Sequence, residues 1–180
     1  QFGSRGSFQG QFTYPTGVAM HPVTRQIFVC DFSNGRVQVF SENGVYQHQL
    51  GAQPAGASPR RLQHPIQLCI DSVADEVFVS DHTLHRVSVF STRGEFLRSF
   101  GSLGSADGQL CSPTGIAFHP LTGRIIVADT YNHRVQVFDR RGTHLRSFGT
   151  RGSGTNQFDF PAGVCVHPVT GHVFVADAGN

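Results

Sequence analysis

The stretch PTGIAFHPLTGRIIVADTYNHRVQVFDRRGTHLRSFG, residues 113–149, decides the fold. It contains four short apolar runs: GIAFH from 115, IIVAD from 125, RVQVF from 134 and THLRSF from 143. Val, Ile and Phe fill them, and Gly, Pro, Asn and Asp bound them, which is the pattern of β-strands joined by turns. HPLTGR (119–124) and DRRG (139–142) carry the glycine that a tight turn with positive φ requires. No part of the stretch holds a helical period.

The pattern recurs along the chain. Asp31, Asp81, Asp129 and Asp177 are spaced 50, 48 and 48 residues apart, and Pro15, Pro65, Pro113 and Pro161 keep the same spacing. Arg36, Arg86 and Arg134 each stand five residues after an aspartate and open RVQVF, RVSVF and RVQVF. Gly44, Gly94 and Gly142 recur in the turn that follows. Four antiparallel strands in a unit of about 48 residues, repeated, predict an all-β chain of β-propeller blades. The blade-like units fall at about 4–51, 52–101, 102–149 and 150–180, the last cut short after VFVADAGN.

These residues resemble the NHL repeat, a family of propeller blades with a Pro-x-Gly-Val-Ala start, a strand ending Val-Ala-Asp, and Asn-His-Arg-Val-Gln-Val-Phe. The resemblance spans the chain and implies a propeller arc of about 3.5 blades from a ring that in the family usually has six, on the order of 290 residues. The expectation is therefore a window from a longer protein, with the missing blades of the same chain as its first partner. The second blade departs from the pattern: its loop 51–65 is two residues longer, has Pro54 where the others have Gly6, Gly104 and Gly152, and continues with Ile66-Gln67 in place of Thr-Gly or Ala-Gly.

Composition narrows the function classes. The net charge is +2, too small for a heavily basic nucleic-acid binder. All 14 basic residues are Arg, so lysine Schiff-base chemistry is absent from this stretch. Cys30, Cys69, Cys111 and Cys165 form no CxxC pair and no zinc spacing, and are expected reduced and mostly buried. No run approaches 18 apolar residues, so no membrane-spanning helix is expected. The compartment is left open, with the cytoplasm slightly favoured.

An acid, an imidazole and a guanidinium stand close together in ADTYNHRVQVF (128–138). The Asp and Arg recur in every complete unit while His133 does not, so Asp31–Arg36, Asp81–Arg86 and Asp129–Arg134 are read as structural pairs that hold a loop. His21, His119 and His167 share one turn slot with Asp71 and are read as turn caps. Ala19, Cys69, Ala117 and Cys165 share an inner-strand slot and are expected buried, without a disulfide. His82 and His85 lie in one loop and give no metal pattern. No catalytic residue, metal site or cofactor is expected.

Binding is the remaining reading. Arg5, Arg60, Arg61 and Arg151 fall on the face built by the blade-to-blade loops, with Phe32, His82, Tyr131 and His133 among them. Arginines beside stackable rings suit a protein partner or single-stranded RNA. The resemblance extends to tripartite-motif NHL proteins and implies a non-catalytic binding scaffold, or the substrate-recognition end of a ubiquitin ligase. Peptidyl-amidating lyase is also similar to NHL proteins, with zinc histidines that follow the blade-opening proline. Those positions are Thr16, Ile66, Thr114 and Ala162 here, so an enzyme of that kind would keep its site in other blades. A bacterial sensor domain is the last alternative.

Overall fold

The computed structural model describes residues 2–52 and 59–180, and Pro54 lies outside them. Strands β1 (Ser4–Arg5) and β2 (Gln11–Phe12) form a small parallel bridge ahead of the first blade. That blade is β3 (Pro15–Met20), β4 (Ile27–Asp31), β5 (Arg36–Phe40) and β6 (Tyr46–Leu50), with a 3-10 turn at Phe32–Asn34. The second is β7 (Pro65–Asp71), β8 (Glu76–Asp81), β9 (Arg86–Ser91) and β10 (Phe96–Phe100). The third is β11 (Ile116–His119), β12 (Arg124–Asp129), β13 (Arg134–Phe138) and β14 (His144–Phe148), with a 3-10 turn at Thr130–Asn132. A second parallel bridge, β15 (Thr150–Arg151) with β16 (Gln157–Phe158), leads to the hairpin β17 (Pro161–Val166) and β18 (Val173–Asp177). Each complete blade is a four-stranded antiparallel meander in chain order.

Side chains alternate between two faces of a strand, and both faces of a blade are covered by neighbours. This is why the second strands, IFVC, VFV and IIVA, read as apolar runs. Phe28, Cys30, Val37, Val39 and Leu50 of the first blade pack on Leu68, Val77, Val79 and Phe90 of the second. Phe78, Val87 and Val89 then meet Ile116, Ile125, Val127 and Phe138. Ile126, Val135 and Val137 meet Val164, Val173 and Val175 of the last hairpin.

The innermost strands come together closely. A Cβ on Gly17 would lie 2.6 Å from the Ile66 carbonyl oxygen, and one on Gly115 would lie 2.4 Å from that of Ala162. Hydroxyls bond across the same seams: Thr16 Oγ1 donates to the Pro65 carbonyl, Ser80 Oγ to that of Thr114, and Thr114 Oγ1 to that of Ala162. The outward slots need a neighbour. Cys69 and Ala117 are buried, but Ala19 is only half-buried and Cys165 is exposed. The expectation of four buried inner-strand residues is corrected for those two. Among the described residues, the first blade and the β17–β18 hairpin each have a neighbouring blade on one side only. No disulfide joins the cysteines.

Candidate interaction face

One end of the arc is built from the blade-to-blade loops and the turns between second and third strands. A carboxylate anchors each loop. Asp31, Asp81, Asp129 and Asp177 accept the backbone N–H of Thr13, Gln63, Cys111 and Asp159, at 2.8, 2.7, 2.7 and 2.8 Å. Each donor stands two residues before the blade-opening proline, so the carboxylate fixes where the innermost strand begins.

The arginines hold the same loops from the other side. Arg36 donates through one terminal nitrogen to the carbonyls of Phe8 and Gln11, and Arg134 to those of Ala106 and Gln109. Both also close on the acid, with Nε 2.8 Å from Asp31 Oδ2 and from Asp129 Oδ2. Asn34 and Gln38, or Asn132 and Gln136, add their amide N–H groups to the same carboxylate. The latch is thus a fully buried acid satisfied by several donors, the condition under which a buried charge is stable.

The second blade corrects the expected third pair. Arg86 still holds the loop, donating to the carbonyls of Pro59 and Arg61, but forms no ion pair with Asp81, and its Nε has no hydrogen-bond partner. Leu84 and Ser88 stand where the other blades have Asn and Gln, so two amide donors are missing. Asp81 turns instead to three backbone N–H groups, from Gln63, His64 and Leu84. Burial holds the Arg86 guanidinium below its usual range, only partly offset by the Asp81 charge.

The histidines of these loops are structural more than free. His85 and His133 occupy left-handed backbone at φ 51° and 53°, the slot filled by Gly35 in the first blade. That conformation aims each ring across the seam, where Nδ1 accepts the N–H of Ser112 or of Phe160. The His133 side chain is only 12% exposed, which corrects its expected place as an open contact residue. Its Nδ1 also lies 3.1 Å from Asp159 Oδ1. His82 is held below the ordinary imidazole value by burial first, and then by the neighbouring His85 and His64.

Rings from three loops meet across two seams. Tyr131, 56% exposed, packs edge-on against Phe160 with centroids 5.3 Å apart, and His82 approaches Tyr131 at 6.3 Å. His133 packs under Phe160 at 4.6 Å. Phe32 stands apart from this group, stacked on His64 at 4.5 Å. Phe160 was not among the expected residues: it sits before the blade-opening proline, a slot held by Tyr14, His64 and Ser112 elsewhere, so repetition does not single it out.

The arginines expected beside the rings are dispersed. Arg5, Arg61 and Arg151 are exposed, and Arg151 Nε lies 3.8 Å from Asp159 Oδ1. Arg60 lines a groove on the flank of the second blade with Phe90, Glu95 and Phe96.

At the opposite end the first-turn caps are largely as read. The Nδ1 of His21 and of His167 and the Oδ1 of Asp71 each accept two N–H groups of their own turn. His119 differs: its Nδ1 is buried without a hydrogen-bond partner, and its ring packs toward Gly171 of the next turn.

Residues 12–40 and 110–138 match the family profile of the NHL repeat. The two matched segments stand at the same register of the first and third blades, so the chain carries NHL repeats in a β-propeller fold. It is 43% identical over 56 residues to peptidylglycine alpha-amidating monooxygenase of Rattus norvegicus, and 34% identical over 70 residues to protein brain tumor of Drosophila melanogaster. These matches cover 31% and 39% of the chain, and 6% of the length of each relative. Among solved structures it is similar to a chain of a nidogen/laminin complex, at a TM-score of 0.71 and 18% identity, over 97% of this chain and 60% of that one. A streptogramin B lyase superposes at 0.67 and 13% identity, over 92% of this chain and 49% of that one. At these identities the structural likeness bears on the fold alone.

Proposed function

We propose that the chain is a non-catalytic binding scaffold whose loop face receives a protein partner. The observation that carries this reading is the ring cluster of Tyr131, Phe160 and His82, which draws on three loops and leaves Tyr131 more than half exposed. The latches beneath hold those loops in place, so the cluster is presented with little ordering cost. Exposed tyrosine and phenylalanine on a rigid base are typical anchors of protein contacts. Single-stranded RNA fits less well, because the rings pack edge-on against one another, Arg151 is drawn toward Asp159, and Arg60 lies on the flank of the second blade. The hydroxyls of Thr16 and Thr114, in the slots after the blade-opening prolines, are spent on bonds between blades, which supports a structural role there.

The test uses a partner identified by proximity labelling and then purified. Tyr131→Ala is expected to weaken its binding by about tenfold, with thermal stability unchanged. A single-stranded oligouridine is the second probe. Tight, steeply salt-dependent binding to it that is lost in an Arg60→Ala, Arg61→Ala variant would replace the protein reading by an RNA one. The similarity to the amidating enzymes supports a rival, a propeller lyase with its site in further blades. Stoichiometric zinc in the full-length protein would favour that rival.

A further inference from the structure

One charge pattern differs between the second and third blades. Glu76 opens β8 and Arg98 lies on β10, and the register brings both to one face of the sheet. There the two terminal nitrogens of Arg98 bond Glu76 Oε1 and Oε2 at 2.7 and 2.6 Å. The corresponding residues of the third blade are Arg124 on β12 and Arg146 on β14, in the same register. Two guanidiniums therefore stand where the second blade pairs a guanidinium with a carboxylate.

No acid answers them. Arg124 and Arg146 are exposed, and neither side chain makes a hydrogen bond or ion pair among the described residues. Asp139, next to the end of β13, caps its own turn, where Oδ1 accepts the N–H of Arg141 and of Thr143. Asp107 is drawn toward Arg134, His144 and Ser147. Both unanswered arginines line one cavity of about 380 Å³, between the third blade and the last hairpin, whose apolar wall is Ile126, Val137, Phe148 and Val173. None of its described lining residues carries a carboxylate. His119 lines it too, turned away from the cap position that His21 and His167 hold, with Nδ1 buried and unpartnered.

Charge and shape together decide the class of occupant. Two like charges on one sheet face repel, and an anion between them reverses the sign of that interaction. A guanidinium fork matches the two oxygens of a carboxylate, as Arg98 does on Glu76. The apolar wall beside the arginines favours a ligand whose charged end carries an aliphatic or aromatic body over a bare inorganic anion. We propose that this cavity binds a small amphipathic carboxylic acid, with the carboxylate held between Arg124 and Arg146 and the apolar body against Ile126, Val137 and Phe148. The site shares no residue with the ring cluster and does not depend on it.

Titration calorimetry of the purified chain with hydrocinnamate and with octanoate tests this, beside the uncharged amides of both acids and inorganic phosphate. At least one acid is expected to bind at least tenfold more tightly than its amide and than phosphate. Arg124→Glu restores the acid–arginine pair of the second blade, so the chain supplies its own carboxylate. Binding of the acid should then fall at least tenfold, with no loss in melting temperature. Arg146→Gln should weaken it in the same way, while Arg93→Gln and Arg141→Gln, on turns outside the cavity lining, should leave it unchanged. An amide that binds as well as its acid would reduce the site to an apolar cavity, and phosphate that binds as well would reduce it to unselective positive charge; either overturns the proposal. So does a chain that binds neither acid, or acid binding that survives Arg124→Glu.

Discussion

The two kinds of latch make a quantitative comparison inside one molecule. In the third blade Asp129 is fully buried and holds Arg134 Nε at 2.8 Å; in the second, Asp81 and Arg86 form no such contact. A hydrogen bond between charged groups contributes about 1.5–3 kcal/mol, so a double-mutant cycle with Asp129→Asn and Arg134→Met should return a coupling of about 2 kcal/mol. The matching cycle with Asp81→Asn and Arg86→Met should return less than about 0.5 kcal/mol. Both arginines donate to two loop carbonyls, and that loss appears in the single variants and cancels in the cycle. Urea unfolding followed by circular dichroism measures both. For a chain of this size the third-blade coupling corresponds to about 4–8 °C in melting temperature. Equal couplings in the two blades would refute the assignment of separate roles to acid and arginine.

Other outcomes follow from single contacts. Gly115→Ala should destabilise by about 1–3 kcal/mol, since its Cβ would lie 2.4 Å from a carbonyl oxygen; Gly163→Ala, whose Cβ would lie 3.5 Å from that of Ala176, should be nearly neutral in the same unfolding assay. Burial pushes the Cys30 and Cys69 thiols up, so a disulfide reagent should label Cys165 fast, Cys111 more slowly, and the other two only on unfolding, as mass spectrometry of the native chain would read. His82 is held below its ordinary value of 6.5, so the unfolded chain binds its proton first. Stability should therefore fall as pH drops through that value, and His82→Asn should flatten part of the fall in a melting series from pH 7.5 to 5.

What was legible in the sequence is what every unit must contain. The strand order and the loop-holding role of Asp31, Asp129, Arg36 and Arg134 follow from slots whose occupants recur at a fixed spacing. The difference in the second blade was harder to see, because Asp81 and Arg86 are present and only their helpers changed. Leu84 and Ser88 stand in the fourth and eighth positions counted from Asp81, and neither looks like part of a charged network until the amide donors of Asn132 and Gln136 are seen in place. His133 misled for a different reason. A histidine between a tyrosine and an arginine reads as a surface residue, but left-handed backbone turns its ring into the seam. Phe160 was missed because its slot carries a different residue in each unit.

Recurrence and variation therefore carry different information in a repeat chain, and the loop face shows both. On the loop face the recurring residues are consumed by the latches, and the rings that stay exposed come from slots that vary. Tyr131 has Ser33 and Thr83 as counterparts, and Phe160 has Tyr14, His64 and Ser112. Variation over a fixed base is how one repeat makes a patch that occurs once, which suits one partner at one place.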